Sequence, residues 1–194
     1  MVPVPGKIFE ILNTAGTQNM CIIIMGKNPS CFKLDALPVE QVSWDDAIEF
    51  CNSLSKKFDL ISVYTINGKN VTQNTSANGF RLPAFDEWQY AAKGGKNYTY
   101  AGSDNIDEVA WYWNNSRNTI HPVAQKKPNG YGLYDMSGNV WEWCWDPDSD
   151  NRRRSFRGGS VWERAAWCKV NTWTATDPNK REYNIGFRVV RTVK

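Results

Sequence analysis

Apolar residues recur at helical spacing in two places along this chain. Trp44, Ala47, Ile48, Cys51 and Leu54 form one stripe, and Ser43-Trp-Asp-Asp46 places an acidic residue three positions after a serine. That is a capping-box arrangement, so a helix is expected at about 44–57 with its stripe facing the core. Phe85, Trp88, Ala91 and Ala92 form the second stripe, between Pro83 and Gly94-Gly95. It predicts a helix at about 84–93, stopped by the glycine pair. Both helices read as scaffold. Between them, Tyr64-Thr-Ile66 and Asn70-Val-Thr72 flank Asn67-Gly68. Asn-Gly between β-formers predicts a hairpin, because both turn residues tolerate positive φ.

The rest is less periodic. Residues 1–37 are weakly patterned, with Val2-Pro-Val-Pro-Gly6 read as extended chain and Lys7 to Leu12 as a strand. After Gly95 the chain is rich in loops. Short strands are expected near Trp141–Trp145, Ser155–Arg157, Cys168–Val170 and Phe187–Arg191. No internal repeat and no low-complexity segment interrupts this pattern.

Composition narrows the class. A length of 194 residues favours a single domain, spanning 1–194, long enough to bury a core. Charged residues are 22% and apolar ones 41%, the balance of a soluble globular chain. Ten Trp, eight Tyr and eight Phe mean that aromatics fill much of the interior. A net charge of +3 is mild, and the basic run Arg152-Arg-Arg154 directly follows the acidic run Asp146-Pro-Asp-Ser-Asp150. That pair reads as a solvated loop of mixed charge, so no nucleic-acid partner is expected. A membrane span needs about 18 consecutive apolar residues. Cys21-Ile-Ile-Ile-Met25 is far too short, and no signal peptide is visible at Met1. Sequons at Asn70, Asn74, Asn97 and Asn114 matter only in a source that glycosylates secreted proteins.

The cysteines are Cys21, Cys31, Cys51, Cys144 and Cys168. An odd count without a CxxC pair specifies neither a disulfide framework nor a zinc site. Cys51, on a helix face turned inward, reads as a reduced core thiol. One histidine, His121, excludes His-rich catalytic metal sites, and its place before Pro122 reads as loop or surface.

The densest stretch is Gly130-Tyr-Gly-Leu-Tyr-Asp-Met-Ser-Gly-Asn-Val-Trp-Glu-Trp143. Its Gly and Asn supply positive φ, and its aromatics supply buried area, so it reads as an ordered loop entering a strand. Around it lie the motif Gly79 to Gly95, Phe156-Arg-Gly-Gly-Ser160 and Gly186-Phe-Arg-Val-Val-Arg191. These four motifs, in this order from about Pro38 to Arg191, resemble the formylglycine-generating-enzyme, or sulfatase-modifying-factor, family. The resemblance implies an α+β, C-type lectin-like fold: two helices packed on short antiparallel strands, with much irregular loop. Under it, the last two expected strands pair antiparallel with their neighbours.

The enzymes of that family use two cysteines five positions apart, shortly after a Gly-Gly-Ser, which together hold a soft cuprous ion. Here Gly158-Gly-Ser160 is present and Cys168 falls on the second cysteine. Glu163 falls on the first, and a carboxylate is a hard ligand without redox chemistry. No catalytic residues and no catalytic cofactor are therefore expected, and Cys168 reads as a buried structural thiol. The resemblance also implies a structural calcium ion on Asp135 and Glu142 side chains and Gly138 and Val140 carbonyls. The alternative is that these groups hydrogen-bond within the loop.

The segment 156–191 keeps family motifs at both ends and departs between them, from Val161 to Asp177. Trp162, Trp167 and Trp173 sit there among Ala, Thr and charge, without helical or strand period. For one Trp a core position is the default. Three in loop-like sequence point to exposure, and aromatics beside small polar residues are the composition of a binding surface. The whole is similar to retroelement-diversified variable proteins, which end in a short variable segment and a fixed strand. The implied ligand-binding residues are Trp162, Glu163, Arg164, Ala166, Trp167, Trp173, Thr174 and Thr176, with the Trp side chains as anchors. The reading is a bacterial, non-catalytic binding protein at the cell surface or outside the cell, with a macromolecular ligand, most plausibly a protein. The rivals are a copper-dependent oxidase of the formylglycine-generating type and an accessory module without a variable site.

Overall fold

The computed structural model describes residues 1–193. Two four-stranded sheets and a separate hairpin surround two main helices. The first sheet has the order β1 (Val2–Pro3), β2 (Phe9–Ile11), β10 (Val190–Thr192) and β5 (Phe80–Arg81), all antiparallel. It ties the beginning of the chain to its end. The second has the order β8 (Trp173–Thr176), β7 (Arg154–Arg157), β6 (Trp141–Pro147) and β9 (Ile185–Phe187). The hairpin pairs β3 (Tyr64–Asn67) with β4 (Asn70–Gln73) as expected, but Asn67 pairs with Asn70, so the two turn residues are Gly68 and Lys69 and only Gly68, at φ of 60°, takes positive φ.

Helix α2 (Trp44–Lys57) starts at its capping box: Ser43 Oγ accepts from the Asp46 amide, and Asp46 Oδ2 accepts from the Ser43 amide. Its buried stripe packs with Val39, Val63, Leu82, Trp143 and Phe187 into one core cluster. Helix α3 (Phe85–Lys93) lacks a side-chain N-cap at Ala84. Glu87 reaches back to the Ala84 amide instead, and Gly94 ends the helix in the left-handed conformation. Trp88, Ala91 and Ala92 pack with Phe9, Ile11, Leu133 and Met136 in a second cluster. Phe85, expected inward, is only half-buried and stands at the edge of β8.

Four further expectations change. The weakly patterned first segment contains a helix, α1 (Gln18–Met25), capped by Thr17 and ended by Gly26. The one-turn helix α4 (Ile106–Val109) lies in the loop-rich part. The strand expected at Cys168–Val170 is instead a 3-10 turn, Ala165–Cys168, followed by β8. Cys168 and Val170 are buried and Lys169 is exposed, so an alternation of strand type arises from a turn. Finally, the expected strand at Phe187–Arg191 is two strands, and β9 pairs with β6 in parallel rather than antiparallel.

Candidate functional site

The second sheet carries the site on one face. Trp141 of β6, Phe156 of β7, Thr174 and Thr176 of β8, and Ile185 of β9 line a cavity of about 360 Å³. Successive side chains of a strand alternate faces, which is why Thr174 and Thr176 share it. Trp167 walls the cavity from the 3-10 turn, Glu163 from the loop before that turn, and Glu182 and Asn184 from the loop before β9. Trp141 stands edge-on to Phe156 with ring centroids 5.1 Å apart, and its indole N–H donates to Glu163 Oε1 at 3.3 Å. Beside this cavity lies a more apolar one of about 560 Å³, bounded by Cys31, Phe32, Trp162 and Tyr183 and sharing Glu182 and Asn184.

The eight residues implied by the sequence therefore divide. Glu163, Trp167, Thr174 and Thr176 share the first cavity, and Trp162 faces the second. Arg164 and Ala166 are exposed outside both. Trp173 leans edge-on against Phe85, 5.4 Å between centroids, and Phe85 carries the Arg157 guanidinium 3.9 Å from its ring centre. Trp167 and Trp173 are 45% and 44% exposed, the condition of anchors open to a partner. Sequence reasoning missed the walls supplied from elsewhere: Trp141, Phe156, Glu182 and Asn184, and Phe32 and Tyr183. Trp141 and Phe156 belong to motifs that read as scaffold. The others lie in loops whose local sequence carries no signal.

The backbone beneath these side chains is pinned by the scaffold. The Val161 amide donates to the Asn139 carbonyl, the Val170 amide to the Thr99 carbonyl, and Ser137 Oγ to the Cys168 carbonyl at 2.7 Å. Gly159 has φ of 76° and lies so close that a side-chain carbon there would meet Cys168 Sγ at 2.6 Å. β8 then joins β7 in unbroken register from Trp173 to Thr176.

Of the cysteine pair that the resemblance implied, Cys168 is present and Glu163 stands at the other position. Cys168 is fully buried, and burial pushes its thiol up to about 12, with the neighbouring Glu163 charge pushing the same way. A thiol so placed stays protonated at neutral pH and is inert. Cys21, Cys51 and Cys144 are also buried and free, and Cys31 is free and exposed.

The Gly130–Trp143 loop is built differently. Gly138, with φ of 78°, passes so close to the Trp111 carbonyl that a side-chain carbon could not fit. Asn139 brackets His121, accepting from its amide and donating to its carbonyl. His121 stacks on Trp111 with centroids 3.8 Å apart, half-buried rather than at the surface. Glu142 and Arg188 are fully buried and joined: Arg188 Nε and Nη2 reach Glu142 Oε1 at 3.2 and 2.8 Å, while Oε2 takes Arg188 Nε at 3.0 Å and the Trp88 indole at 2.7 Å.

The two carboxylates that the resemblance implied for calcium differ in their engagement. Both carboxylate oxygens of Glu142 are committed to donors, and the guanidinium of Arg188 already neutralises the site. Asp135 accepts from the Ala124 amide through Oδ2, and its Oδ1 has no partner. A cation on Asp135, Gly138, Val140 and Glu142 would have to displace Arg188 or Trp88. Among the described residues, no three His, Cys, Asp or Glu side chains converge as a metal site. Burial raises the Asp135 carboxyl to about 6, against the opposing pull of the Ala124 amide and Arg188.

Residues 17–193 match the family described as the sulfatase-modifying factor enzyme 1-like domain. The chain belongs to that family. Its fold is the C-type lectin-like fold of the formylglycine-generating type. Chaperone protein LppX of Paenibacillus barcinonensis is 42% identical over 91% of this chain and 77% of its own length. The formylglycine-generating enzyme of Streptomyces coelicolor is 29% identical over 78% of this chain. This chain spans only 51% of that enzyme. Among solved structures, Treponema denticola variable protein 1 superposes with a TM-score of 0.91 at 34% identity, covering 95% of this chain and 84% of that one. No helix among the described residues is long and apolar enough to cross a membrane.

Proposed function

We propose that this family member is a non-catalytic binding protein that presents a diversified surface on its lectin-like scaffold, in the manner of a retroelement variable protein. The observation that carries this reading is the contrast within 161–176. The backbone is fixed by Asn139, Ser137, Thr99 and β7, while Trp162, Glu163, Arg164, Ala166, Trp167, Trp173, Thr174 and Thr176 are exposed or half-buried. Side chains that do not hold the fold can be exchanged without losing it. The likeness to Treponema variable protein 1 supports the reading, as does the inert thiol at Cys168.

The ligand is macromolecular, and a protein fits best. Half-exposed Trp anchors among Thr and Ala suit a protein surface. The Paenibacillus relative is named a chaperone protein. The site of action is the cell surface or the exterior. No catalytic cofactor has a part in it.

The test is to sequence the last part of this gene from many individual cells. Substitutions confined to codons 161–184, and arising where the template carries adenine, are expected. A uniform sequence removes the diversification reading. Stoichiometric Cu(I) binding that depends on Cys168 would then favour the oxidase alternative.

A further inference from the structure

The cavity on the second sheet has a composition that selects among partners. Its lining combines the aromatic rings of Trp141, Phe156 and Trp167 with the carboxylates of Glu163 and Glu182. No cationic side chain lines it. Glu163 has no ion-pair partner among the described residues; the one hydrogen bond to its carboxylate is from the Trp141 indole at 3.3 Å. Arg164, next to Glu163 in sequence, is exposed and lines no part of the cavity. Arg181 pairs with Asp46 at 2.8 Å, and Arg154 lies on the Trp44 ring. Lys180 meets Glu182 at 3.0 Å, but both are exposed, and such a pair is screened and easily exchanged.

We propose that this cavity receives the side chain of a lysine or arginine projecting from a partner protein. This rests on the binding reading and names the chemistry that the surface recognises in this chain. The aliphatic stem lies along Phe156 and Trp167, and the charged head meets the aromatic faces and Glu163. Ring faces attract cations through their quadrupole, and the attraction grows as water leaves. An apolar side chain would strip water from Glu163 and leave it unpaired, which is costly. An acidic one would be repelled. Glu163 and Glu182 both lie within codons 161–184, so a basic preference belongs to this sequence and shifts in siblings that replace either glutamate.

The test is an NMR titration of protein labelled at its Trp indoles, with small probes of the side chains. The probes are N-acetyl-arginine amide, N-acetyl-lysine amide, the isosteric N-acetyl-norleucine amide, and methyl α-glucoside. Saturable shifts of the Trp141 and Trp167 indoles with the two cationic probes, and none with norleucine, are expected. Glu163→Gln should weaken them about tenfold, because Gln keeps the acceptor for the Trp141 indole and removes only the charge. Glu182→Gln should give a smaller loss, since its charge is shared with Lys180. Equal shifts with norleucine, shifts with the glucoside alone, unchanged affinity in Glu163→Gln, or no shift with either cation each overturn the proposal. A diversified gene segment combined with any of those results leaves the binding reading standing and removes only the cation preference. A uniform gene segment removes the broader reading whatever the probes do.

Discussion

Two Trp-rich, irregular segments of this molecule use the same residue types to opposite ends. In Gly130–Trp143, Trp141 and Trp143 are buried, and their indoles donate to Glu163 and to the Val42 carbonyl. Glu142 there is closed off by Arg188 and Trp88. In 162–176, Trp167 and Trp173 stand nearly half-exposed, and their indoles donate to no acceptor among the described residues. Irregular backbone thus tells nothing about whether side chains are fixed. What separates the two is where the polar groups go: inward to buried partners in the first, outward in the second. A loop of the first kind specifies the fold. One of the second kind is free to specify a ligand.

Breaking the buried pair should produce the largest effect. Arg188→Leu leaves Glu142 buried without its cation, and a loss of about 3–5 kcal/mol is expected in urea denaturation. A loss under about 1 kcal/mol would mean that the loop is as dispensable as the exposed segment. Next comes Asp135, whose carboxyl is raised to about 6 by burial. The unfolded chain releases that proton near pH 4, so between about pH 4 and 6 the folded state holds more protons and stability falls as pH rises. The cumulative loss is about 2–3 kcal/mol and is complete above pH 6. Asp135→Asn keeps the acceptor for the Ala124 amide and removes the charge. It should equal the parent at pH 4 and exceed its stability at pH 7 by a similar amount. Equal stability of the two at both pH values would show that the carboxyl ionises without cost.

Substitutions in the other segment should be milder for the fold. Trp167→Ala and Trp173→Ala should each cost less than about 1.5 kcal/mol, since much of each ring is already in water, while ligand affinity drops at least about tenfold. Loss of folding with either variant would make these rings core. The smallest effect is expected from calcium. Neither added calcium nor a chelator should move the melting temperature, because Arg188 supplies the charge that a cation would. A calcium-dependent rise that Glu142→Gln abolishes would show that the ion displaces the guanidinium.

The contrast also explains what the sequence could tell. Helices α2 and α3 and the Asn67-Gly68 hairpin are written in local signals: periodic stripes, a capping box and a turn dipeptide. Helix α1 hides because Ile22 and Ile23 are exposed, so its apolar run has no consistent buried face. The parallel pairing of β6 with β9 joins residues some forty positions apart, and nothing local encodes it. The segment of the site at 162–176 was legible by its departure from the motifs around it. The two cavities were not, because Glu182 enters both, and Phe32 the second, only through tertiary folding. Nor did the sequence disclose that Arg188 would occupy Glu142, since a buried ion pair across 46 positions has no local signature.

The most direct measurement is a saturation scan of residues 130–191, with every variant displayed and sorted for folding alone. Positions 162–164, 166, 167, 173, 174 and 176 should accept most substitutions, while Asp135 to Trp143 and Gly158 to Ser160 accept few. Equal intolerance in both segments would contradict the division between a fixed scaffold and a surface free to vary.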